Sequence, residues 1–360
     1  MPRAHNFNAG PAALPTEALQ QANDELLNLN GTSMSVMELS HRSDDYEAIH
    51  NEAISLLKEL LAVPDSHDIL FLQGGASLQF AMLPMNFLTN GQPNYILTGS
   101  WSEKALEEAK LLTSPKVGGS TKEVDYRRIP NFSELNISDD DDYVHITSNN
   151  TIYGTQWKSF PEVIHSPLIA DMSSDIMSRP LPVDQFDLIY AGAQKNLGPS
   201  GVTIAIVRKS LYERIPDNTP TLMRYDTHAK KNSLYHTPPT FSIYMLKNVL
   251  QWIKTNKGLE GMEKRNQAKA SLLYETMDES DGFYKGHAEK ESRSTMNVTF
   301  NLPSEELNKA FLRGAEEKGF IGLNGHRSVG GCRASIYNAV TLESCEALRD
   351  YMKTFQKNNR

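Results

Sequence analysis

Between residues 68 and 207 short, unbroken apolar runs alternate with amphipathic stretches, and this alternation restricts the possible folds more than any other feature of the chain. The runs fall at 68–73, 94–98, 143–147, 167–170, 187–190 and 202–207, with helical patterns near 78–88 and 102–112. A strand that is apolar at every position has to be buried on both faces, and helices are the usual cover. The expected fold class is therefore α/β, a large domain with a mostly parallel sheet covered by helices on both faces. The last run comes almost directly after Lys195, which leaves room for one antiparallel strand.

The flanking segments read differently. The first fifteen residues carry Pro2, Pro11 and Pro15 and suit an extended arm. Thr16 opens a helical pattern running through Leu19, Leu26 and Leu27. Ser43 is expected to cap a longer helix, with Asp44 and Asp45 in its first turn and Ile49, Ala53, Leu56, Leu57 and Leu60 on one face. A further long helix is predicted over 241–254. Beyond Lys257-Gly258 the pattern becomes helix, strand (294–300), helix (304–318), strand (332–337) and helix (342–355). This divides the chain into an arm (1–15), a large domain (16–257) and a small α+β C-terminal domain (258–360) that the arm completes.

Composition excludes several classes. The 360 residues carry a formal charge of −8, which argues against a nucleic-acid footprint. Any anion site must then be built from local basic residues. The two cysteines, Cys332 and Cys345, lack metal-ligand spacing and suit a reduced, intracellular protein. No apolar run approaches the roughly 20 residues that span a bilayer, and the first residues lack the apolar core of a signal peptide. The expectation is a cytoplasmic protein with no membrane partner and no metal.

In open parallel sheets, ligands bind beyond the carboxyl ends of the strands, and the unusual polar residues of this chain cluster there. Lys195 follows the run at 187–190, and Asp171 ends the one before it. A lysine that can form a Schiff base with an aldehyde, beside an aspartate that can keep a pyridine nitrogen protonated, suits pyridoxal 5′-phosphate. Gln73-Gly-Gly-Ala-Ser77 opens a helix after the first run, where free amides and the helix dipole favour a phosphate. Trp101 can stack on a flat ring, and Thr151 can donate a hydrogen bond to a ring oxygen. Each has a plainer reading: a bare turn, a core tryptophan, a capping hydroxyl or a capping aspartate. Five such residues at successive strand ends make coincidence a poor account.

Two His-Arg pairs stand apart, His41-Arg42 and His326-Arg327. In an acidic chain they suit recognition of a dianion, and Arg333 can point into a cleft between domains.

Together the runs Asn6-Phe-Asn-Ala-Gly-Pro-Ala-Ala-Leu-Pro15, Ser40-His-Arg42, Gly192-Ala-Gln-Lys-Asn-Leu-Gly-Pro-Ser-Gly201, Thr237-Pro-Pro-Thr-Phe241, Gly325-His-Arg327 and Arg333-Ala-Ser-Ile-Tyr-Asn338 resemble the phosphoserine aminotransferases of the class-V aminotransferase family, fold-type-I pyridoxal phosphate enzymes. The resemblance covers essentially the whole chain. It implies a homodimer with shared active sites. It further implies a Schiff base at Lys195, Asp171 on the pyridine nitrogen, Trp101 stacked on the ring and Thr151 near the phenolic oxygen. Ala76, Ser77 and Gln194, and secondarily Ser173, would hold the phosphate, and His236 and Thr237 would reach it from the partner subunit. The family often has Asn where this chain has His236, and Gly-Arg where it has Ala76-Ser77. Arg333 would bind the substrate α-carboxylate, with His41, Arg42, His326 and Arg327 around the distal anion. The implied reaction takes O-phospho-L-serine and 2-oxoglutarate to 3-phosphohydroxypyruvate and L-glutamate in serine biosynthesis, with phosphohydroxythreonine of pyridoxine biosynthesis as a further candidate substrate.

Cysteine desulfuration is a rival chemistry for this fold, but neither cysteine sits in an expected mobile loop. An aminotransferase for another small amino acid, or a non-catalytic pyridoxal phosphate-binding protein, stays open. The two His-Arg pairs weigh against the first, and the intact Lys195–Asp171 pair against the second.

Overall fold

Seven strands form the central sheet in the order β2-β10-β9-β8-β5-β3-β4. They are β2 (His67–Leu72), β3 (Gln92–Leu97), β4 (Lys116–Ser120), β5 (Asp141–Thr147), β8 (Leu168–Asp171), β9 (Leu188–Gly192) and β10 (Thr203–Arg208). The computed structural model describes residues 3–89 and 91–360. Only β10 runs against the others, pairing antiparallel with both β2 and β9, while β9, β8, β5, β3 and β4 run parallel to one another.

Side chains alternate across this sheet into two separate cores. From β2, Ile69 and Phe71 join one apolar cluster while Leu70 and Leu72 join the other. Strand β10 divides the same way, Ile204 and Ile206 against Ala205 and Val207. Helices α2 (Asp44–Leu60) and α6 (Thr240–Thr255) supply the first cluster, and α3 (Gly75–Phe87) and α4 (Ser100–Lys110) the second. Burying one such branched side chain is worth about 1.5–3 kcal/mol, so a strand buried on both faces is anchored by each residue in turn. The α/β class expected from the alternation is the one observed.

Local signals explain the ends of these helices. The Ser43 hydroxyl accepts from the Tyr46 amide at 3.4 Å, and Asp44, Asp45 and Glu47 sit on the positive end of α2. Helix α1 (Thr16–Asp24) is shorter than its leucine pattern implies. Its packed face is Ala18 and Ala22, four residues apart and turned to α6, so Leu26 and Leu27 lie past its end and Leu27 is 82% exposed. Strand β4, which carries Gly118 and Gly119 and no alternation, is an element the pattern does not signal.

After α5 (Tyr225–Lys230) and α6, the chain enters α7 (Gly258–Asp278) and a three-stranded sheet of β11 (Lys285–Gly286), β12 (Asn297–Asn301) and β14 (Cys332–Ser335). Helices α8 (Glu305–Glu317) and α9 (Leu342–Asn359) share a core with it around Phe300, Phe311 and Met352. The first residues join this part: β1 (His5–Asn6) lies parallel to β13 (Phe320–Ile321), and Phe7 is buried in the same core. A two-residue hairpin, β6 (Asn149–Asn150) with β7 (Thr155–Gln156), follows β5.

Candidate active site

Strands β2, β3, β5, β8 and β9 all end on one side of the sheet, and antiparallel β10 begins there. That rim bounds a cavity of about 440 Å³. Ala76, Ser77, Trp101, Thr151, Asp171, Ser173, Gln194, Lys195, His326 and Arg333 all line it.

The edge nearest β2 presents the free amides of a helix start. Gly74 caps α3 at φ +89°, and a β-carbon there would meet the Leu78 side chain at 2.5 Å, so the turn requires glycine on both counts. The first-turn amides at Gly75, Ala76 and Ser77 have no partner within the helix. They point their dipoles at the cavity mouth, as helix N-termini that hold phosphates do.

Asp171 and Lys195 face the floor. Asp171 is 5% exposed and accepts from the Ser173 amide at 2.9 Å. Burial raises its carboxyl above the ordinary range, while the bonds from Ser173 and the Lys195 charge pull it back toward ionisation. Burial pushes the Lys195 amine down to about 8, with Asp171 opposing the shift and Arg333 adding to it. An amine so tuned loses and gains a proton near neutrality.

The opposite wall is a short relay. The Trp101 indole donates to the Thr151 hydroxyl at 3.1 Å, and the Thr151 carbonyl accepts from Arg333 Nη1 at 3.0 Å. Arg333 Nε is buried without a partner among the described residues, and the residue lines the cavity, so the outer N–H groups of its guanidinium can meet a ligand there. His326 Nδ1 accepts from the Ser328 amide at 3.2 Å, and burial together with Arg333, Arg327 and Lys104 disfavours its protonation.

Five candidates lie outside this chain's cavity lining: His41, Arg42, His236, Thr237 and Arg327. His41 and Arg42 occupy the turn before α2, and Arg327 an exposed loop. Gln73 Nε2 lies 2.9 Å from His236 Nε2 and donates to the Thr237 carbonyl at 3.1 Å, so that segment is tied beside the anion cup without entering it. The cavity also has walls that residue-by-residue reading passed over. Ala9 and Gly10 come from the arm, and Asn149 and Ser174 from the strand ends. The run Asn8-Ala-Gly-Pro11 and the doubled Asn149-Asn150 were the available signals.

A flat pyridine ring carrying a phosphate arm fits this set: an anion cup at one end, a buried carboxylate, an amine and an indole around the middle. The volume is ordinary for such a ligand. Among the described residues no group of His, Cys, Asp and Glu is arranged to hold a metal ion.

Known proteins agree with that geometry. The class-V aminotransferase family model matches residues 4–348. Phosphoserine aminotransferase from Halalkalibacterium halodurans is 64% identical over 361 residues, covering 100% of both chains. The solved phosphoserine aminotransferase of Bacillus circulans subsp. alkalophilus superposes with a TM-score of 0.98 at 55% identity, covering 99% of each chain. That of Trichomonas vaginalis, solved with PLP bound, superposes at 0.92 and 38% identity over 98% of this chain and 100% of its own. The chain belongs to the class-V aminotransferases, pyridoxal-phosphate-dependent enzymes, and within them to the phosphoserine aminotransferases.

Proposed function

We propose that the transamination of phosphoserine carried out by this enzyme uses 2-oxoglutarate as the amino acceptor, giving 3-phosphohydroxypyruvate and L-glutamate, as a step of serine biosynthesis in the cytoplasm. The observation that carries this reading is Arg333, which lines the same cavity as Lys195 and Asp171. Phosphoserine and glutamate each present an α-carboxylate and a second anion further out. One arginine for the first and a shared cationic mouth for the second serve both substrates in turn.

Bound pyridoxal phosphate supplies an electron sink for the charge left at the substrate Cα and carries the amino group between the two half-reactions. The protein's part is binding and proton movement. The amides of Ala76 and Ser77, with Gln194 and Ser173, hold the phosphate. Asp171 would keep the ring nitrogen protonated, Trp101 would cover the ring, and Thr151 would donate to its phenolic oxygen. Lys195 would hold the cofactor aldehyde, and its amine would take and return the proton at the substrate Cα. Arg333 orients the α-carboxylate so that the Cα–H bond faces that amine.

His41, Arg42, His236 and Thr237 lie outside their own cavity, and a homodimer would bring them to the neighbouring one. His326 and Arg327 would meet the distal anion from the same chain. The large and small domains would divide at Lys257-Gly258, with the arm of residues 1–15 packing on the small one.

The test is the visible absorption of the purified, pyridoxal phosphate-loaded protein. O-phosphoserine alone should convert the bound cofactor to its aminated form, and 2-oxoglutarate should restore it. Conversion by glutamate and serine but not by phosphoserine would discard the phosphate pocket. Phosphohydroxythreonine added in the same way decides whether the pocket admits the extra carbon.

A further inference from the structure

The N-terminal arm forms one wall of the cavity, and a buried hydroxyl ties it there. Tyr337, with no exposed surface, donates from its hydroxyl to the Ala9 carbonyl at 2.8 Å. The same oxygen accepts from Asn297 Nδ2 at 3.2 Å, and Asn297 also donates to the Ser335 hydroxyl at 3.0 Å. Asn297 Oδ1 in turn accepts from Asn149 Nδ2 at 2.8 Å, and Asn149 reaches Ser174 at 2.8 Å. Asn149 and Ser174 line the cavity. A continuous buried seam of hydrogen bonds therefore runs from the cavity through β12 to the arm. A fully satisfied seam of this kind permits one arrangement of its members, because any slip strands a buried polar group.

Past the tie, the arm lies on Lys195. Gly10 has φ +145°, and a β-carbon there would stand 3.5 Å from Lys195 Cε and 3.6 Å from Cγ. Two residues on, the Ala12 amide donates to the Gln194 carbonyl at 2.9 Å. Pairing of β1 with β13 stops at Asn6, and the Phe7 amide bonds to the Ile321 carbonyl at 2.8 Å, so residues 9–12 depend on the Tyr337 and Gln194 contacts.

We infer that Tyr337 is a positioning residue for Lys195: by holding the Ala9-Gly10 backbone beside the methylene chain of the lysine, it limits where the amine can point in the cavity. This rests on the reading of Lys195 as the proton-moving group, and it adds a residue that touches neither substrate nor cofactor. The side chain works at a distance, through the backbone of the arm. A lysine with four rotatable bonds needs such a wall, since each rotamer places its amine elsewhere.

The test uses the full chain loaded with pyridoxal phosphate and compares it with Tyr337→Phe, which removes one oxygen and keeps the buried ring. Hydrogen exchange of the Ala12 amide, which bonds to the Gln194 carbonyl, should quicken about tenfold. The kcat should fall about tenfold, and its acid limb should move to higher pH as water reaches the amine. Ser335→Ala breaks the seam beside the tie but leaves the tie intact, and should move neither reading. If Tyr337→Phe does not fold, Gly10→Ala, at a φ of +145° that alanine adopts only with strain, should shift the arm and lower kcat with Tyr337 in place. Unchanged exchange in Tyr337→Phe would overturn the inference, as would faster exchange with an unaltered kcat and pH limb. Turnover retained in Lys195→Ala would sink the lysine's role instead, and leave the exchange measurement to report the tie alone.

Discussion

The Trp101 indole N–H donates to the Thr151 hydroxyl at 3.1 Å, which joins the start of α4 to the loop after β5. The bond fixes the plane of the ring that we place over the cofactor. Thr151→Val keeps the shape and removes the acceptor. Cofactor affinity should drop about five- to tenfold, the usual net worth of one such bond. Titration of the cofactor-free protein, followed by quenching of tryptophan fluorescence, measures it. Equal affinities would mean that neither the indole nor the phenolic oxygen depends on this hydroxyl.

A pH profile tests the tuning of Lys195. Its amine is held down to about 8, so the neutral form that accepts a proton grows as pH rises through that value. The kcat should climb about tenfold per unit well below 8 and flatten above it. Arg333 contributes to the depression, so Arg333→Gln should shift the limb upward. Stability follows the same sign. Between about 8 and the ordinary 10.5 the folded, cofactor-free chain binds fewer protons at this site than the unfolded chain does. Its stability should therefore rise with pH across that window, and Lys195→Met should lose this part of the slope. A kcat limb near 10 would contradict the assignment.

Arg333 should not tolerate lysine. Its Nη1 is engaged by the Thr151 carbonyl at 3.0 Å, and a planar fork is needed to meet that oxygen and a carboxylate together. Arg333→Lys should raise KM for phosphoserine and for glutamate alike, by tenfold or more, on the order of the charge-assisted bonds lost. An effect on one substrate only would move Arg333 from the α-carboxylate to the distal anion.

Stability has its own weak point behind β14. Lys269, with no exposed surface, donates to the carbonyls of Ile336, Tyr337 and Val340 at 2.8, 2.6 and 3.0 Å. Burial pushes its amine down to about 7, and these three oxygens replace the water it has lost. Lys269→Met should cost about 2–4 kcal/mol, because three buried carbonyls are left without donors. Denaturant midpoints of the two proteins would show it. A difference under about 0.5 kcal/mol would mean that water enters and takes the place of the ammonium.

What the linear chain determined here is what depends on neighbours in sequence. The apolar runs that became β2, β3, β5, β8, β9 and β10 are readable because a strand buried on both faces has no polar position to spare. The Ser43 cap and the glycine turn into α3 are likewise local, each a matter of a few dihedral angles and one or two amides. Once strand ends are known, Trp101, Thr151, Asp171 and Lys195 share a rim, since parallel strands leave the sheet on one side.

Tertiary structure alone decided the rest. Strand β4 exists because β3 offers it an edge, although its own Gly118-Gly119 has no preference for one. Helix α1 stops at Asp24 because α6 selects the alanine face over the leucines. His41 and Arg42 were as visible in the chain as His326, yet only His326 lines this chain's cavity. Ala9, Asn149, Asn297 and Tyr337 have no local pattern in common and lie as many as 328 residues apart, but they meet in one buried seam. A buried polar group must find its partner wherever the fold puts one, and sequence distance carries no information about where that will be.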